Sequence, residues 1–141
     1  MKVFRFAIFY LLLSFFSIGC THANDHVNTF NFSNYPIKDK SNLAQANFAG
    51  HYLVSTYGCG GGAICGDIKN LLTNNTAGLP NAYLIEDDSG ENGFLLSYQL
   101  DSRLIIISGI LADPDETQYN EGFKKRYYHF INDKLILLSS Q

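Results

Sequence analysis

The sequence predicts an all-β domain, a small antiparallel sandwich or barrel of about seven strands, with room for one short helix. Three observations point there. Short runs rich in aromatic and β-branched residues recur at roughly 8–12-residue spacing with turn residues between them. No segment after Phe48 keeps a helical period over three turns. No repeat of roughly 20–50 residues is present, which excludes solenoids and propellers.

The elements follow in chain order. Residues 51–57, HYLVSTY, read as a first strand, and 64–72 as a second after a glycine cluster. Residues 74–78, NNTAG, read as a turn, 82–85 as a short strand, and 86–93, EDDSGENG, as a polar reversal. Residues 94–100 and 104–111 flank Asp101-Ser102 as a tight hairpin. Leu104, Ile105, Ile106 and Ile107 form an apolar run without alternation, which predicts a central strand covered on both faces. Residues 112–122 form a longer acidic loop. Residues 123–131 and 134–138 flank Asn132-Asp133 as a second hairpin. On that penultimate strand Tyr127 and His129 share one face, and Tyr128 and Phe130 the other. Half of this aromatic group is expected in the core. The remainder of this patch, which also counts Tyr119 and surrounds Lys124, Lys125 and Arg126, is expected as a sticky surface. A helix is allowed at 43–47 or inside the loop that begins near Asp113.

The 141 residues suit one domain, and 46% hydrophobic content is enough to offset the entropy of ordering. Residues 1–23 read as an export signal. Lys2 and Arg5 precede the uncharged run FAIFYLLLSFF at 6–16, and small or polar residues follow at 17–23. The apolar run is shorter than the roughly 20 residues a membrane span needs. Two processing sites are open. Thr21 and Ala23 suit cleavage before Asn24, and Ser17-Ile18-Gly19-Cys20 is similar to a lipobox in which Cys20 is lipidated. Residues 24–47 read as a polar lead-in or tether containing Pro36, within which Phe30, Phe32 and Tyr35 alternate weakly as an edge strand. Residues 48–141 are the β-domain.

The whole chain has a net charge of −3; without Lys2 and Arg5 it carries eight basic and 13 acidic groups, a net of −5. Nucleic-acid binding needs a positive face that displaces counterions, so this balance argues against it. Membrane attachment is expected only through an N-terminal lipid, and no cofactor is expected.

The densest chemistry lies at residues 57–67, YGCGGGAICGD, with five glycines and two cysteines. In an oxidising compartment two nearby cysteines in a small domain pair, so Cys59 and Cys65 are expected to form a disulfide across a strand-to-strand turn. A second reading makes Cys59 a nucleophile, with His51 or His129 as base and Asp67 or Asp101 as orienter. A third makes Cys59, Cys65 and two histidines a metal site, although structural zinc favours about two to four residues between paired cysteines. A redox thiol pair would want Cys-x-x-Cys at a helix start, which is absent. Phosphate cradling would want Gly-Lys-Ser/Thr after the glycines, also absent. The acidic runs lack the ligand spacing of an EF-hand loop.

Phe48-Ala49-Gly50-His51-Tyr52, Tyr57-Gly58-Cys59-Gly60, the later Leu100-Asp101-Ser102-Arg103-Leu104 and Tyr127-Tyr128 resemble a set of small exported proteins of Gram-negative bacteria. These share a Phe-x-Gly-x-Tyr lead and an aromatic-Gly-Cys-Gly motif with a second cysteine close behind. The resemblance spans about residues 48–138 and implies a Gram-negative envelope, in the periplasm or anchored to the outer membrane, without implying an activity. Here five residues separate the cysteines and Tyr57 stands where Trp is common.

The function expected from these readings is a non-catalytic, disulfide-clipped β-domain that binds another envelope protein, as an inhibitor or immunity factor does. The alternatives are a cysteine-dependent cell-wall hydrolase or transferase and a purely structural envelope lipoprotein. The expected binding residues are Gly60, Gly61 and Gly62 in the glycine loop, Asp87 and Asp88 in the first acidic loop, and Asp113, Asp115 and Glu116 in the second.

Overall fold

The structure is a computed structural model that describes residues 30–38, 43–86, 90, 93–114 and 122–141. Eight strands run in order: β1 (Tyr52–Gly60), β2 (Ala63–Asn70), β3 (Thr76–Gly78), β4 (Tyr83–Leu84), β5 (Leu95–Tyr98), β6 (Leu104–Gly109), β7 (Lys124–Ile131) and β8 (Lys134–Ser140). They form two antiparallel four-stranded sheets. In the first, β1 and β3 flank β2, and β4 also pairs with β2. The second is the meander β5-β6-β7-β8. The arrangement is an open sandwich and not a closed barrel.

Period-2 patterning sets the register. Tyr52 and Val54 of β1 point inward, opposite Asn70 and Ile68 of β2, and all four are buried. In the second sheet Ile105 and Ile107 face the same core, with Tyr128 and Phe130 of β7 beside them. Phe48 lies at the centre, its ring 5.4 Å from Phe130, 6.0 Å from Tyr98 and 6.4 Å from Tyr52. Such offset and edge-on aromatic contacts add to what area burial alone contributes.

Backbone bonds join the layers at both sides. Leu84 N–H donates to Ile110 O, and Ala112 N–H to Ala82 O, so β4 pairs with β2 on one side and with the extension of β6 on the other. Elsewhere Ala49 and Gly50 donate to Gln99 and Leu100.

β6 is interior and buried on both faces, as its unbroken apolar run predicts. The cover on its outer side comes from the lead-in. Phe30 stacks on Tyr127 at 4.6 Å and Tyr35 meets His129 edge-on at 4.9 Å; these two β7 residues lie opposite Ile106 and Leu104. Residues 30–38 are thus packed, and the expected edge strand is replaced by a 3₁₀ turn, Phe32–Asn34, capped by the Asn31 side chain accepting from Ser33 N–H. Tyr127 and Tyr128 are both buried, while Tyr119 lies outside the described residues.

Two further expectations change. Residues 74–78 are not all turn: Asn74 takes a left-handed φ of 62°, but Thr76, Ala77 and Gly78 pair with Lys69, Ile68 and Asp67 as β3. Residues 43–47 form a turn and no α-helix. Five residues are too few to offset helix nucleation, and the Asn47 side chain is committed to both backbone groups of Val54.

Candidate functional site

β1 is an exposed edge in the half of the hairpin nearest the turn, while β4 covers β2 up to Ala63. From Ser55 to Gly60 every residue of β1 is exposed, with Tyr57 at 49%. Gly61 and Gly62 make the reversal with φ of 59° and 76°, the double positive φ of a type I′ turn, and Gly60 precedes them at 100°. A Cβ at any of these three glycines would meet nothing within 4 Å. Conformation and not crowding therefore selects glycine here, and the tip presents bare backbone.

The disulfide Cys59–Cys65 closes this hairpin. Cys65 lies opposite Tyr57, so a regular ladder would put Cys59 on the diagonal, about 7–8 Å away. The register shifts between Gly58 and Gly60, leaving Cys59 as the extra residue of a bulge, and the two Cα atoms come to 5.7 Å. That separation is within the range a disulfide spans. Both sulfurs are bonded to each other, so neither is a thiolate in this state.

The clip is anchored at its base. Gly62 O accepts from Ile85 N–H at 3.0 Å, and Ile85 O accepts from Phe94 N–H at 3.0 Å. The first acidic loop therefore leaves and returns beside the glycine tip. The second leaves the extension of β6 and returns to β7 at the same end, because Leu95 lies opposite Ser108 and Lys124 opposite Gly109. Residues 86–91 and 113–121 hold eight of the 13 carboxylates of the sequence. Glu86 and Asp113 are exposed there; Asp87, Asp88, Asp115 and Glu116 lie outside the described residues, as does Cys20.

Four apolar side chains at this end were not singled out by the sequence: Tyr57 at 49%, Ile85 at 50%, Leu95 at 59% and Phe123 at 42% exposure. Each sits at a strand terminus or on an exposed edge strand, where hydrophobic patterning reads it as core. The neighbouring basic triplet divides. Arg126 turns inward, its guanidinium donating to Gly109 O at 3.2 Å and lying 6.0 Å from the Tyr83 ring.

The residues named for the catalytic alternative lie on separate elements. His51 is eight residues before Cys59, about 26 Å along an extended chain. His51 packs on Tyr52, His129 lies under Tyr35 on the outer side of the other sheet, and Asp67 pairs with Ser55 and Gly78 inside the first sheet. Among the described residues no three His, Cys, Asp or Glu side chains come together to hold a metal.

At the opposite end the polar groups are structural. Tyr52 donates to Asp133, and Asn70 donates to both at 3.3 Å. Burial, then the bond to Asp133, pushes the Tyr52 phenol up to about 12, while the same bond holds the Asp133 carboxyl below the usual carboxylate range.

The chain matches no protein-family model, no curated protein and no solved structure.

Proposed function

We propose that this chain is an exported, non-catalytic protein of the cell envelope that binds another protein through the end carrying the glycine tip and the two acidic loops. The proposal takes residues 1–23 as an export signal, with Cys20 either lipidated or removed. The disulfide accords with an oxidising, extracytoplasmic location. The observation that carries the reading is the pairing of a disulfide-braced, exposed hairpin tip with a neighbouring acidic loop through the Gly62–Ile85 hydrogen bond. A braced loop loses little entropy on docking. Exposed Tyr57, Ile85, Leu95 and Phe123 offer the apolar contacts that carry interface energy, and the carboxylate content of the two acidic segments favours a cationic partner.

That combination fits an inhibitor or immunity factor which blocks the cleft of a wall-degrading enzyme. The test is inhibition of a panel of purified cationic muramidases and other wall hydrolases by the processed protein. Inhibition that falls with salt and is lost in Tyr57→Ala supports the reading. An unreduced native protein whose Cys59 alkylates readily overturns it in favour of a cysteine-dependent hydrolase. Incorporation of a palmitate analogue that disappears in Cys20→Ser decides the anchoring.

A further inference from the structure

Far from the glycine tip, a cleft of 580 Å³ opens where the lead-in crosses the second sheet, lined by Pro36, Lys38, Arg103, His129, Ile131 and Asn132. We propose that this cleft is a binding site for a phosphate ester, with Arg103, Lys38 and His129 as its anion-recognising groups.

Charge is the first reason. Without its two N-terminal cations the chain carries a net of −5 with eight cationic side chains, yet two of them and an imidazole line one cleft. Two carboxylates close to these residues in sequence, Asp101 and Asp133, are engaged elsewhere, and Asp39 lies outside the described residues. Asp133 is bound to Tyr52 and Asn70, and Asp101 lines a separate cleft with Gln99 and Asn31. Among the described residues no carboxylate lines this one.

Placement is the second. The Arg103 main chain is fixed on both sides, donating to Tyr35 O at 2.7 Å and accepting from Phe130 N–H at 2.9 Å. His129 is held edge-on by the Tyr35 ring. The guanidinium comes from the β5–β6 connection, the ammonium from the lead-in and the imidazole from β7. Donors from three elements surround a tetrahedral oxyanion better than a planar carboxylate, and the Arg fork suits phosphate. The volume is that of a small-molecule site and exceeds what a bare anion fills, while Pro36 and Ile131 supply apolar wall for an organic portion. Burial and the neighbouring Arg103 keep His129 less basic than usual, so a bound anion has room to raise it.

The test is a nuclear magnetic resonance titration of the processed protein with inorganic phosphate, glycerol phosphate, and vesicles of phosphatidylglycerol or phosphatidylcholine. Saturable shifts are expected at Lys38, Arg103, His129 and Asn132, with a rise in the His129 imidazole pKa. Arg103→Gln is expected to weaken binding about tenfold at an unchanged melting temperature. If that variant unfolds, Lys38→Gln serves the same purpose. Tighter binding of glycerol phosphate than of inorganic phosphate identifies a soluble ester. Selective binding of the phosphatidylglycerol vesicles, lost in Arg103→Gln, identifies a lipid headgroup. Shifts that stay linear to roughly 50 mM phosphate, or that are unchanged by both substitutions, overturn the proposal.

Discussion

The Tyr52 hydroxyl donates to Asp133 across 2.8 Å, tying the edge strand of the first sheet to the last turn of the second. Tyr52 is buried and packs edge-on against Phe130 at 4.8 Å, so the ring holds the core while its tip holds the turn. Tyr52→Phe keeps the packing and removes only the donor. Hydrogen bonds to charged groups contribute about 1.5–3 kcal/mol, and a loss of about 2 kcal/mol in urea unfolding is expected.

The same pair sets two pH limits. The Asp133 carboxyl titrates below its ordinary range in the fold, so its contribution is present above the ordinary carboxylate pKa and lost as pH falls through the folded value. The Tyr52 phenol is raised to about 12, so its contribution is complete below about 10 and lost as pH rises toward 12. Burial also raises the Tyr83 phenol, so ultraviolet titration should show late-ionising phenols near alkaline unfolding, and Tyr52→Phe should remove one of them.

Much of the fold was legible because its strands obey simple patterning. The unbroken run from Leu104 to Ile107 marked an interior strand, and Asn132-Asp133 marked a two-residue turn, whose φ values are 51° and 58°. Thr76-Ala77-Gly78 was illegible because Ala and Gly beside Asn74-Asn75 outweigh the strand preference of Thr76 alone; pairing to β2 makes them extended. Ser102 read as an ordinary turn residue. It is buried, and its hydroxyl reaches Phe32 O at 2.8 Å and Tyr35 O at 3.2 Å, fastening a lead-in whose composition reads as a tether. The disulfide and glycine tip were visible as a local motif. The cleft formed by Lys38, Arg103 and His129 was not, since its members are isolated in sequence and meet only once the lead-in docks.

Docking of the lead-in should be readable through His129. Burial, reinforced by Arg103, lowers its imidazole pKa, so below about 6.5 the unfolded chain takes up a proton that the folded chain resists. Stability should therefore decline as pH falls through that value, until the folded imidazole also protonates. Tyr35→Ala uncovers the ring, and its pKa should move back toward the ordinary value in a proton-resolved titration. An unmoved pKa would mean that Tyr35 does not shield His129 in solution.

Reduction should loosen the hairpin without dissolving the sandwich. Cys59 and Cys65 are separated by six positions, and the chain-entropy estimate for so short a loop is about 2 kcal/mol. The double substitution Cys59→Ser with Cys65→Ser should lower the melting temperature by roughly 8–10 °C. Protease cleavage should appear first between Ser55 and Gly62, where β1 has no buried side chain to hold it once the clip is gone.

Two glycines of the hairpin should respond to alanine for opposite reasons. At Gly61 a Cβ has open space, and the cost is the left-handed backbone at φ 59°, about 1 kcal/mol. At Gly66 no positive φ is involved, but a Cβ would stand 2.8 Å from Leu79 Cδ1 and 2.9 Å from the Ser55 carbonyl oxygen. The leucine can swing aside; the carbonyl belongs to the paired strand and cannot move without opening the ladder between Thr56 and Gly66. Gly66→Ala should therefore cost about 2 kcal/mol, more than Gly61→Ala, when the two are compared by urea unfolding. The functional effects should reverse. Gly61→Ala alters the bare tip and should weaken capture of the partner, whereas Gly66→Ala, once folded, leaves the tip's surface chemistry unchanged. Equal binding losses in the two variants would place the contact surface away from the hairpin tip.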